Sequence, residues 1–162
     1  MQISMETKML VMRYADFHEY DFIAEHKNII VSNGNVWLLK IGKIIPQTKI
    51  DELYQEGGVL LLKGPKASGG KYYALQVVDI HTGTPNKNMV YPKYYEKIVL
   101  DENMWAVESL FGNWFKVSNI IEVPSDMIGH IFLASNRKNV EDVLSSTRSS
   151  MVYVVSDKEL ML

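Results

Sequence analysis

Apolar residues along this chain come in short runs closed by glycine, proline or polar clusters, a pattern that favours strands over long helices. Residues 8–13 (Lys-Met-Leu-Val-Met-Arg) predict a first strand. Residues 16–28 predict a helix, because Phe17, Tyr20, Ile23 and Ala24 share one face at helical spacing. After His26-Lys27 the chain reaches an Asn33-Gly34 turn, and residues 36–41 then predict an apolar strand suited to the centre of a sheet. A second helix is expected over residues 48–56. Thr48 can cap its first turn, Asp51 and Glu52 suit its positive end, and Gly57-Gly58 stops it.

Residues 59–63 and 71–80 predict two strands joined through Gly64-Pro65-Lys66-Ala67-Ser68-Gly69-Gly70, a hairpin with a glycine-rich tip. A polar loop is expected over 81–92, then strands over 94–100 and 114–123. Short helices are expected from Ser125 or Asp126 to Ala134 and over 136–144, with a last strand at 151–155. Ser156-Asp157-Lys158-Glu159 has the form of a capping box for a terminal turn. There is no internal repeat, and helices interrupt the strands too irregularly for βαβ units. The pattern predicts an α+β fold: a curved sheet or small twisted β-barrel flanked by helices, in a single domain over 1–162.

Composition narrows the class. Hydrophobic residues make up 47% of the 162 residues and charged residues 22%, as in a globular domain. The absence of cysteine excludes disulfides, thiolate metal sites and a cysteine nucleophile. No apolar run approaches a bilayer span, and the first residues lack the basic-then-apolar form of a leader, so a cytoplasmic protein with no membrane partner is expected. The net charge is −2, yet residues 36–97 hold nine lysines against five acids. A modest basic face is compatible with that bias, as is an ordinary solvated lysine surface.

The candidate chemistry is sparse. Gly64 to Lys71 resembles a phosphate-binding P-loop only superficially, because Lys71 is followed by Tyr72-Tyr73 and a strand, not by a hydroxyl residue opening a helix. His18, His26, His81 and His130 are scattered without metal-ligand spacing, and no carboxylate cluster has the form of a calcium loop. Neither a catalytic residue nor a metal site is assigned, and no cofactor is expected. The aromatics say more. Trp37 follows the Asn33-Gly34 turn, with Lys40 and Lys43 at the far end of its strand. That suits stacking on a flat ring beside a bound phosphate, and equally an ordinary core strand. Trp105 sits in a polar stretch beginning Asp101-Glu102-Asn103, where a flat ligand would explain an exposed indole. Trp114 opens a strand beside Phe115, so one of that pair faces the core.

The order of several motifs resembles the PUA-like superfamily, especially its EVE and YTH branches. The motifs are the helix through His26-Lys27 to Gly34-x-Val36-Trp37-Leu38-Leu39-Lys40, the 57–63 and 72–80 strands and Tyr91-Pro92-Lys93-Tyr94-Tyr95. Trp114-Phe115-Lys116-Val117-x-x-Ile120 and Thr147-Arg148-Ser149-Ser150-Met151-Val152-Tyr153-Val154 complete the series. The resemblance covers about residues 22–160, with residues 1–30 as an N-terminal strand-helix extension. It implies a small twisted barrel with flanking helices and binding of a modified base in DNA or RNA through an aromatic pocket. Trp37 and Trp105 then match pocket walls, while Trp114 matches a tryptophan packed inside. A nuclease or a modification system is the kind of protein partner it implies.

The expectation is therefore a non-enzymatic nucleic-acid-binding domain, with Trp37 and Trp105 at the base and Lys40, Lys43, Lys63, Lys66, Lys71 and Arg148 at the phosphates. Two alternatives stand beside it. One is a small hydrolase or transferase using the same pocket, with Asp79 or His81 as general base. The other is a protein-interaction adaptor docking through exposed aromatics.

Overall fold

The computed structural model describes residues 1–17, 19–41, 44–101, 110–146 and 151–162. They form an α+β fold with nine strands and five helices among the described residues. The strands are β1 (Gln2–Ile3), β2 (Met9–Arg13), β3 (Val36–Ile41), β4 (Val59–Lys63), β5 (Tyr72–Gly83), β6 (Gly112–Glu122), β7 (Ile131–Leu133), β8 (Met151–Ser156) and β9 (Leu160–Met161). The helices are α1 (Phe22–Asn33), α2 (Gln47–Gln55), α3 (Tyr94–Asp101), α4 (Ser125–Ile128) and α5 (Val140–Ser146). Seven strands make one sheet in the order β3-β6-β5-β4-β2-β8-β7, and β1 pairs with β9. No helix among the described residues is long and apolar enough to cross a membrane.

The chain divides into two compact units: residues 1–15, 51–75 and 121–162, and residues 16–50 and 76–120. In the first unit β2 runs parallel to β4, with Leu10 opposite Leu60, and antiparallel to β8, with Met9 opposite Val154. Met9 to Met12 and Val59 to Leu62 are buried without alternation, which is why both read as continuous apolar runs. The hairpin from Gly64 to Lys71 is a strand-to-strand loop carrying a single 3-10 turn at Lys66–Ser68. The helix N-terminus that a P-loop needs is absent from it.

In the second unit α1 starts six residues later than its periodicity predicts. Asp21 is its cap, its carboxylate accepting the Ala24 N–H at 2.9 Å, while Phe17 and Tyr20 form a bridge ahead of it. Gly34 ends it at φ 86°, its N–H donating to the Ile30 carbonyl. β3 then pairs antiparallel with β6, from Val36 opposite Val117 to Ile41 opposite Gly112. Beyond this unit, residues 131–133, expected within a helix reaching Ala134, form strand β7 instead. Three further expectations are corrected in this unit. β3 is an end strand of the sheet and not a central one. Residues 94–101 form helix α3 and not a strand: Tyr94, Tyr95, Ile98 and Val99 recur at helical spacing, and Pro92 sets the entry into the helix. β5 continues to Gly83, taking in residues read as loop.

Candidate functional site

The second unit holds the candidate site. Side chains alternate along β3, so Trp37 and Leu39 share one face while Val36, Leu38 and Lys40 occupy the other. Across the ladder Trp37 faces Lys116 and Leu39 faces Trp114. The Trp37 N–H donates to the Val90 carbonyl at 2.9 Å, and the Leu39 N–H donates to the Tyr95 hydroxyl at 3.4 Å. Both amides thus turn away from β6. Their cross-strand pairs are the non-hydrogen-bonded kind, in which side chains lie closest. The same two bonds satisfy amides that an end strand would otherwise leave open.

On that face an aromatic cluster assembles. Trp114 is fully buried and donates its indole N–H to the Gly83 carbonyl at 3.2 Å. Tyr94 and Tyr95 pack into the cluster from α3, and the half-buried Tyr20 and Tyr91 close its margin. Tyr20 stacks on Tyr94 with ring centres 4.9 Å apart, and Tyr91 stacks on Tyr95 at 5.9 Å. Such pairs add about 0.5–1.5 kcal/mol each beyond their burial.

A buried polar chain holds Tyr95 in place. A carbonyl can only accept, so His26 Nδ1, 2.7 Å from the Phe22 carbonyl, carries the proton. Nε2 is then an acceptor, and it takes the Tyr95 hydroxyl proton. The Tyr95 oxygen in turn accepts the Leu39 N–H. Burial lowers the His26 pKa to about 4 and raises that of Tyr95 well above its ordinary value, so both are neutral at pH 7.

Around the margin, three lysines lie on three rings. The ammonium of Lys116 is 6.0 Å from the Trp37 ring centre, that of Lys93 is 5.0 Å from Tyr91, and that of Lys97 is 5.3 Å from Tyr20. Lys97 also donates to the Tyr20 hydroxyl at 2.9 Å. His81 meets Trp37 edge-on, ring centres 6.4 Å apart, with Nε2 donating to the Thr84 carbonyl at 2.6 Å. Tyr91 donates to Glu96 at 3.3 Å, and burial, then that carboxylate, raises its pKa.

The residues singled out from the sequence are not all in this place. Trp37 is in the cluster and 8% exposed. Lys40 lies on the opposite face of β3 and is buried, and desolvation lowers its pKa. Lys63, Lys66 and Lys71 belong to the first unit. There Lys63 donates to the Gly70 carbonyl at 2.7 Å and pairs with Glu141, Lys71 pairs with Glu122, and Lys66 is exposed on the hairpin. Trp105, Lys43 and Arg148 lie outside the described residues. Asp79 is exposed, its carboxylate accepting the Ile80 N–H. Among the described residues no group of three or more His, Asp or Glu is placed to hold a metal ion. Sequence reasoning missed Lys93, Lys97 and Lys116. Only the pairing of β3 with β6 and the helical form of residues 94–101 carry them to the rings.

Compared with protein-family models, curated proteins and solved structures, the chain matches none.

Proposed function

We propose that this chain is a non-enzymatic nucleic-acid-binding domain of the PUA-like kind, its sheet belonging to a small twisted barrel of EVE or YTH type. In this reading it recognises a modified base through the aromatic cluster of the second unit. The observation that carries the proposal is the pairing of Trp37 with Lys116 on one face of the β3–β6 ladder, beside His81. A flat indole flanked by a cation and an imidazole combines the two things an unpaired base needs: a π-surface to stack on, and polar groups for its edge and phosphate. A base methyl group adds apolar surface that such a ring rewards. The cluster beneath is rigid, because Trp114 and Tyr95 are both hydrogen-bonded and buried.

The test is a fluorescence titration of the protein with single-stranded oligonucleotides, methylated on a base or plain. Tryptophan emission is expected to quench on binding, and more strongly with the methylated strand. Trp37→Phe keeps an aromatic ring in the cluster but offers less stacking area. It is expected to weaken binding by about 1 kcal/mol, at the low end for base stacking, without loss of folding. Absence of binding to either strand at low salt would overturn the proposal.

A further inference from the structure

We propose that Lys93, Lys97 and Lys116 are the phosphate-contacting residues of the second unit, each resting on the ring that a nucleotide would engage. The inference rests on the nucleic-acid reading above and names the residues that would hold the strand there. Their rings, Tyr91, Tyr20 and Trp37, all pack into one aromatic cluster, so each ammonium is tied to a ring of that same cluster. Each cation lies 5.0 to 6.0 Å from a ring centre. At that range a base entering to stack must compete with the lysine for the π-face.

The exchange is chemically complementary. A stacking base takes the ring, and the displaced ammonium meets the phosphate that arrives with the base. Lys116 is the decisive member, because it is directly opposite Trp37 in the ladder and a lysine stem is long and flexible enough to swing aside. The ring of Trp37 is 8% exposed and clusters with Leu39, Met89, Leu110 and Trp114, so a base reaches it only if these neighbours give way along with Lys116. The occupant is single-stranded nucleic acid, since a paired base has neither face free for a ring. Carboxylates oppose it: Glu25, Asp16 and Asp21 act on Tyr94, the ring under Tyr20, and Glu96 is a fourth. Glu96, held by the Tyr91 hydroxyl, puts a negative charge beside Lys93 and Lys97 in the chain.

The experiment is a salt titration of binding to a fluorescein-labelled oligothymidylate of about twelve nucleotides. Removing one lysine–phosphate interaction with a single strand flattens the slope of log K against log salt by about 0.7. Lys93→Ala, Lys97→Ala and Lys116→Ala are each expected to flatten it by about that much. Lys116→Arg is expected to keep the wild-type slope, and Lys87→Ala and Lys138→Ala to leave it unchanged. Glu96→Gln is expected to tighten binding at low salt by about threefold. If the wild type binds but the three alanine variants keep its slope, or Lys66→Ala flattens it instead, the inference falls and the nucleic-acid reading stands. If the wild type fails to bind even at low salt, that reading falls and takes the inference with it.

Discussion

His26 is fully buried, and its hydrogen bonds to the Phe22 carbonyl and the Tyr95 hydroxyl suit only the neutral ring. Protonation at Nε2 would set two donors against the Tyr95 oxygen and leave the tyrosine proton without an acceptor. The folded-state pKa of about 4 lies below the ordinary 6.5, so between those values the unfolded chain binds more protons. The stabilisation is therefore complete above pH 6.5 and is lost as pH falls toward 4. Its size is at most about 3 kcal/mol, given that one pKa unit is worth 1.36 kcal/mol. Urea denaturation of wild type and His26→Gln across this window checks it. The wild type is expected to lose stability on acidification faster than the variant, and parallel profiles would refute the assignment. Trp114, with no exposed surface, is expected to cost about 3–5 kcal/mol when replaced by Ala.

Two glycines of the second unit separate two reasons for having no side chain, and both belong to the elements they join. A Cβ on Gly112 would lie 2.2 Å from the Lys40 carbonyl oxygen, a backbone atom that moves only if β3 shifts off β6. Gly34 has nothing within 4 Å of such a Cβ, but its φ of 86° disfavours any side chain. Gly112→Ala is expected to cost about 3 kcal/mol, and Gly34→Ala about 1. Chemical denaturation of both variants measures the contrast, and equal losses would mean that the ladder relaxes freely around residue 112. At the other end of α1, Asp21→Ala is expected to remove about 1 kcal/mol by freeing the Ala24 N–H.

For the whole molecule, charge sets the character of any binding. Net charge is −2, and the second unit balances eight lysines against nine acids. Long-range attraction to a phosphate backbone is correspondingly weak, so under the proposed function affinity is expected to come from stacking at the cluster. With about three phosphate contacts, log K for a single strand is expected to fall against log salt with a slope of only about −2. Duplex competitor is expected to displace little of the strand, since its bases are already stacked. A slope several units steeper would point to a basic surface larger than the three lysines provide.

The local pattern alone determined most of the elements. Runs such as Met9 to Met12 and Val59 to Leu62 are apolar because both faces are buried, and Gly34 ends a helix because of its own backbone freedom. Burial likewise follows from residue type, as Trp114 shows. Where neighbours far along the chain decide, the pattern falls short. Residues 94–101 hold β-branched and aromatic residues that suit either a strand or a helix, and the helix is the form in which Tyr94 and Tyr95 join the cluster. Strands β1, β7 and β9 are only two or three residues long, too short to signal themselves; residues 131–133 read as helix, and the stretch after Ser156 read as a capping box. The site divides in the same way. Trp37 stands out in the sequence as an indole beside a turn. Its partner Lys116 does not, because cross-strand register is a property of the pairing of β3 with β6 and of neither strand by itself.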